Sequence, residues 1–366
     1  MHNPMKPLDL NFNGHSKEEW KELIAKSLKT GSLEDFVWTL DKNVAGEPFA
    51  HFDDLKKDYN PIIGKTRDNN WLCGLDYSLV NNDVVNAYIK QHSRFGLESF
   101  ILYASDSKVD FESVFKGIEL DKYDILLNTR NGIDIILFME HLKDYCLMKE
   151  YNHKKLKFNL RLPDDRPEEM LELFKYLDLN FPEVRFFFRT ERELSYAPAQ
   201  YLTETFNNIT DFIEESEISK DILVSMLKRW KVHFFMTENF LADIATLRAF
   251  KIMWNNYLKI LKADNFGDKI ILGINHDGYT ENENSDLIVA TIISMAGAIA
   301  GVHSINIAPK ETGLEDPANF MRLLLNIQNI LKHESNLNLV KDAVAGSYAI
   351  ETASFRIAEE AWSNLT

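Results

Sequence analysis

One unit recurs eight times along this chain and constrains its fold more than anything else: a short apolar run that leads straight into an amphipathic helix. Residues 231–261, KVHFFMTENFLADIATLRAFKIMWNNYLKIL, give the fullest version. Val232–Met236 form the apolar run. Leu247, Phe250, Trp254, Tyr257, Leu258 and Leu261 then recur at spacings of three and four, which is one stripe of a helix. Further runs at Trp71–Tyr77, Ser99–Ala104, Tyr123–Asn128, Lys157–Leu162, Val184–Arg189, Lys269–Asn275 and Val302–Ile307 read as strands. Helical patterns follow the eight runs near 82–95, 110–117, 131–148, 165–177, 197–215, 238–261, 284–300 and 315–333. Asn82 can cap the first of these helices and Gly96 can close it, while Pro167 and Pro317 suit first helical turns. Eight such units over roughly 260 residues match a (β/α)8 barrel. A doubly wound sheet is the competitor, but it carries a glycine-rich first turn, and here that turn is SLVNND.

The expected class is therefore α/β: a (β/α)8 TIM barrel over 71–366, preceded by an N-terminal helical arm over 1–70 and ended by a closing helix. In the arm, Ser16 and Glu19 form a capping box ahead of Trp20, Leu23, Ile24 and Leu28. Ser32 and Asp35 open a second helix with Phe36, Val37 and Trp38 behind them, and Asn43–Asn70 reads mostly as loop. These two helices lie outside the repeat, so they need cover, either from their own barrel or from a second subunit. Asp342–Leu365 reads as a short loop and the closing helix.

Hydrophobic residues make up 45% of the 366 and charged residues 27%, an ordinary globular balance. The net charge of −15 argues against nucleic acid, which needs a basic face. No run approaches the length of a membrane span, and the N-terminus has no apolar signal core. Cys73 and Cys146, the only two cysteines, suggest neither a disulfide framework nor a zinc site. A reduced, cytoplasmic setting is expected.

Function in such a barrel sits at the C-terminal ends of the strands. Tyr77, Arg130, Arg189, Arg192, His276, Asp277, Tyr279 and Asn306 are the candidates for binding a substrate there. His276–Asp277 is the most suggestive pair, with a solvated loop as the plain alternative. Arg189 and Arg192 flank Glu191, which makes either an anion clamp or a surface ion-pair cluster. Arg130 stands just after the third strand with the same two readings. His233 and His303 lie inside apolar strands and read as hydrogen-bonded structural residues. No histidine pair has the spacing of a helical metal site, and nucleotide fingerprints are absent. Gly297 and Gly301 in GAIAG read as close-packing residues. VRFFFRT, KFNLRLP and VHFFMT place bulky side chains on both faces of their strands, so the barrel axis should be filled, and a filled axis could not thread a long substrate.

The chain resembles the substrate-binding barrel of the methylmalonyl-CoA mutase family. NFLADIATLRAFKIMW (239–254) is similar to that family's acidic-Ile-Ala-x-Leu-Arg-Ala segment. AGAIAGVHSIN (296–306) is similar to its approach to the eighth strand, and DAVAGSYAIE (342–351) to its Asp-Pro-x-Gly-Gly-Ser-Tyr-x-x-Glu. SKEEWKELIAKSLKTGSLEDFVW resembles the arm that wraps a partner subunit, and the stretch from Trp71 to Ala104 the first βαβ unit.

The departures are specific. The family's active chain carries a Tyr-His pair after the fifth strand, where this chain has FFFRTERELSYAPA. Its Ser-Gly-Trp-Ser run is replaced by Asp277-Gly278-Tyr279-Thr280. Asn306 stands where that chain has a histidine, and Tyr77 lies about one position from its essential tyrosine. The cobalt-binding Asp-x-His-x-x-Gly pattern fits none of the ten histidines. The resemblance thus implies a chain with no catalytic residues, no cofactor of its own and no C-terminal cobalamin-binding domain, most like the family's non-catalytic small (β) subunit. Adenosylcobalamin, and the isomerisation of methylmalonyl-CoA and succinyl-CoA, would belong to a large catalytic partner in a heterodimer; a homodimer is the other assembly. The alternatives are the substrate-binding half of a split acyl-CoA mutase, and an acyl-CoA or anion-binding protein.

Overall fold

Each of the eight apolar runs becomes a parallel strand, and the strands close on themselves. In the computed structural model, residues 14–28, 32–41, 44–55, 69–80, 82–162, 167–190, 197–263, 270–274, 282–310 and 313–365 are described. The barrel strands are β3 (Leu72–Asp76), β4 (Ser99–Ala104), β5 (Asp124–Thr129), β6 (Phe158–Arg161), β7 (Arg185–Arg189), β8 (Trp230–Phe235), β9 (Ile270–Ile274) and β10 (Ser304–Ile307). They pair in sequence order, and β10 returns to β3.

The helices between them are α2 (Asn82–Ser93), α3 (Phe111–Phe115), α4 (Ile135–Met148), α5 (Met170–Asn180), α6 (Pro198–Glu215), α7 (Lys220–Leu227), α8 (Phe240–Ile260), α9 (Glu283–Ala300) and α10 (Pro317–His333). The local signals act as expected. Gly96 and Gly301 take positive φ at helix ends, and Asp316 caps α10 with Pro317 in its first turn. Pro167 opens a single 3-10 turn that leads into α5. The short α7 has no counterpart in the repeat; it lies between α6 and β8, in a stretch without a strand of its own. α9 is long and apolar enough to cross a membrane by composition alone. Its buried face packs on the barrel, and a Cβ added to Gly297 would stand 2.3 Å from Leu272.

The outward residues of every strand, such as Ile125, Leu127, Phe186, Phe188, Val232 and Phe234, form one continuous core with the helices. The inward residues make a second, small apolar group of Ile101, Leu126, Phe187 and Ile271. Strands buried on both faces lose the polar–apolar alternation, which is why they read as continuous runs.

Before the barrel, α1 (Lys17–Ser27) carries the expected capping box of Ser16 and Glu19. The second expected helix is instead a 3-10 turn (Leu33–Phe36), and the chain then runs into a β-hairpin, β1 (Trp38–Asp41) with β2 (Val44–Gly46). Val37, Trp38 and Thr39 favour extended backbone, and strand pairing decides the outcome. The hairpin covers α11 (Tyr348–Ser363) of its own chain. Arg356 donates to the Ala45 carbonyl, and the His51 and Phe52 rings meet Tyr348. α11 in turn lies along α6 and α8 and closes the ring of helices.

Candidate functional site: the two ends of the barrel axis

The strand register determines which side chains share the axis. Ser99 is level with Asp124, Leu126 with Asn159, Arg161 with Phe187, and Arg189 with His233. Three zones follow from the N-terminal to the C-terminal end of the strands.

The first zone is charged. Lys231 Nζ stands 2.8 Å from Asp124 Oδ2, with both side chains buried, and Asn159 Nδ2 donates to Asp124 Oδ1 at 2.7 Å. His303 Nε2 lies 3.4 Å from the same carboxylate, and Arg185 lies 3.9 Å from it. Burial disfavours the Asp124 carboxylate, but Lys231 and His303 outweigh it and hold its carboxyl well below the usual range. Beside this cluster a pocket of about 450 Å³ opens at the N-terminal end, lined among others by Lys122, Lys155, Lys157, Arg185 and His303.

The second zone is a plug. Ile101, Leu126, Phe187 and Ile271 are 0–1% exposed and meet across the axis. Two glycines make room for their neighbours. A Cβ on Gly273 would fall 2.3 Å from His233 Nε2, and one on Gly74 2.2 Å from Asn306 Oδ1. Asn306 is accordingly an inward, buried residue that accepts from Ser99 Oγ at 3.0 Å and donates to Ser304 Oγ at 3.2 Å.

The third zone is the C-terminal mouth. His233 is fully buried there, against Phe187 and Phe235. Neither of its ring nitrogens has a hydrogen-bond partner among the described residues, where a bonded histidine was expected. Burial, and then the charges of Arg189 and Arg161, hold it neutral, well below the ordinary histidine range. The Arg189 guanidinium lies 4.9 Å from the centre of the Phe235 ring, and Arg161 donates to the Thr129 carbonyl at 3.4 Å.

Of the expected site residues, the four that are described, Tyr77, Arg130, Arg189 and Asn306, do not converge. Tyr77 turns outward: His92 Nε2 donates to the Ala318 carbonyl at 3.0 Å, so Nδ1 is the acceptor for the Tyr77 hydroxyl at 2.8 Å. Arg130 is exposed on the turn after β5, and Arg189 stays at the mouth. Arg192, His276, Asp277 and Tyr279 lie outside the described residues. The charged zone lies at the strand N-termini, outside the C-terminal ends where function in such a barrel is expected. Its signal is present in YDILLN, VRFFFR and KVHFF, where Asp124, Arg185 and Lys231 open their strands in phase with the inward Leu126, Phe187 and His233.

A model of the methylmalonyl-CoA mutase family matches residues 168–366. The methylmalonyl-CoA mutase small subunit of Porphyromonas gingivalis is 25% identical over 395 residues, covering 95% of this chain and 62% of that protein. The methylmalonyl-CoA mutase of Rhizobium meliloti is 22% identical, covering 71% of this chain and 39% of its own length. A probable mitochondrial methylmalonyl-CoA mutase of Caenorhabditis elegans is 22% identical, covering 70% and 38%. The chain thus spans less than two thirds of the length of these relatives.

Proposed function

The chain belongs to the methylmalonyl-CoA mutase family, and from that premise we propose that it is a non-catalytic barrel subunit supporting a catalytic mutase chain. The filled axis carries this reading. Phe187, Leu126, Ile101 and Ile271 occupy the line along which an extended acyl-CoA would have to pass, and they are close-packed, not mobile surface groups. Two described groups near the mouth are not available as a general acid or base. His233 is buried and neutral, and Tyr77 is committed to His92.

Adenosylcobalamin does not fit the described residues. His233, the described histidine at the mouth, is enclosed by Phe187, Phe235 and Gly273 and presents no face to a corrin. In this proposal the cofactor and the isomerisation of methylmalonyl-CoA and succinyl-CoA belong to a large mutase subunit. That subunit is the expected partner, in the reduced cytoplasmic setting that two buried thiols suit.

The test is isothermal titration of the purified chain with methylmalonyl-CoA and with coenzyme A. No heat at high micromolar ligand is expected, together with a gain in the activity or stability of the large chain when the two are mixed. Micromolar binding that depends on the acyl group overturns the proposal and points to a split acyl-CoA mutase.

One observation favours a second reading, that of an anion-binding protein. The pocket at the N-terminal end gathers Lys122, Lys155, Lys157 and Arg185, against the carboxylates Glu98, Asp121 and Asp124, in a chain whose net charge is −15. Binding of coenzyme A that ignores the acyl group, and is lost in Lys157→Glu and Arg185→Gln, would select it.

A further inference from the structure

The turn between β5 and α4 stands at the rim of the C-terminal mouth and contains an asparagine followed by a glycine. Arg130, Asn131 and Gly132 are all exposed, and the turn is closed by the Ile133 N–H donating to the Arg130 carbonyl at 3.4 Å. Gly132 has φ +84°, a conformation glycine adopts without strain. A Cβ built on it would meet nothing within 4 Å. The Asn131 carboxamide and the Gly132 N–H have no hydrogen-bond partner among the described residues.

Three conditions for intramolecular attack on an asparagine side chain are met together. The carboxamide is unanchored and open to water. The following backbone nitrogen is not held in a hydrogen bond. The residue bearing that nitrogen has no side chain to obstruct ring closure. We propose that Asn131 is a deamidation site that adds one negative charge to the mouth-facing turn. The Gly132 nitrogen forms a bond to the Asn131 side-chain carbonyl carbon, the carbon–nitrogen bond of the carboxamide breaks, and the nitrogen leaves as ammonia with the proton from Gly132. Water then opens the cyclic imide at either carbonyl, giving an aspartyl or an isoaspartyl linkage. Water is the only co-reactant.

The other asparagines around the barrel fail one or more conditions. Asn159 donates to Asp124 and to the Ile125 carbonyl, and Asn306 bonds Ser99 and Ser304. Asn152 caps a 3-10 turn, and Asn336 is followed by leucine. Asn13, the other asparagine that precedes a glycine, lies outside the described residues. The product places a carboxylate one residue from Arg130. It therefore converts the single cation on this turn into a local ion pair and weakens any anion site Arg130 could join.

The full chain is incubated at neutral and at mildly alkaline pH beside a synthetic peptide of residues 126–137, with the Asn131→Gln variant as control. Peptide mapping by mass spectrometry, with cleavage outside residues 124–138, reads the result. The expected outcome is a gain of about one dalton at position 131, split into two chromatographically separate forms, faster at the higher pH and absent in N131Q. The proposal fails if the folded chain keeps its carboxamide after the peptide has converted. Conversion that requires unfolding in urea overturns it equally.

Discussion

Arg248 on α8 and Glu351 on α11 are 103 residues apart in sequence and 2.7 Å apart in space, in a site closed to solvent. The same guanidinium reaches Asp342 at 2.5 Å, and Glu351 Oε1 also accepts the Gly346 N–H at 3.2 Å. Arg248 thus ties the closing helix and the loop before it to the central helix of the barrel wall. Two of the stretches that carry the family resemblance, 239–254 and 342–351, meet at this one ion cluster.

Replacing Arg248 by leucine should cost about 3–5 kcal/mol, because it strands a buried carboxylate. Arg248→Lys keeps the charge but reaches one partner rather than two, so it should fall between leucine and the parent. Urea unfolding midpoints check the order. A leucine variant as stable as the parent would mean that the cluster sets geometry without adding stability.

The charged zone under the plug should make the chain acid-sensitive through Asp124. Its folded pKa lies below the unfolded value of ~3.9, so its contribution is fully present above that pH and is lost as pH falls further toward the folded value. Asp124→Asn should remove this part of the acid transition. At neutral pH it should also cost about 3–5 kcal/mol, because Lys231 is left buried without its carboxylate. Stability against pH for both proteins gives the comparison.

His233 acts at a higher pH. It is held neutral when folded, so its contribution is full above the unfolded value of ~6.5 and declines as pH falls below it. His92, His153 and His303 shift in the same sense. His233→Gln should flatten the stability profile in that window relative to the parent, and an unchanged slope would assign the effect to the other three histidines.

The plug can be probed where Gly273 makes room for the His233 ring. Gly273→Ala should cost about 1–3 kcal/mol by overpacking against the His233 ring. His233→Ala removes that ring, so the double variant should lose less than the sum of the two single ones. Strict additivity would mean the two sites do not touch. Phe187→Ala should cost about 3–5 kcal/mol and open the axis; a gain of coenzyme A binding would identify Phe187 as the block.

The repeat of apolar run and helical stripe was legible because secondary structure and burial are written in local periodicity. The eight strands and their order follow from it, as do the capping box at Ser16, the first-turn Pro317 and the close-packed Gly297. The Ser32 segment misled because its capping signal is local, whereas its fate was set by pairing with Val44–Gly46. His233 read as a bonded histidine because pattern places a ring in a strand but cannot say whether a partner atom arrives beside it. Tyr77 read as a mouth residue because the sequence does not say where a strand ends and its next side chain turns outward.

By itself the sequence determined the barrel, the number of its units and the bulk available to fill its axis, since these depend on residue type and spacing along one chain. Only the tertiary structure decided that Phe187 and Ile271 meet across the axis, that Asp124 finds Lys231 beneath them, and that Arg248 reaches both Asp342 and Glu351. Those contacts join residues about a hundred positions apart. Their geometry depends on strand register and barrel closure, which no local pattern encodes.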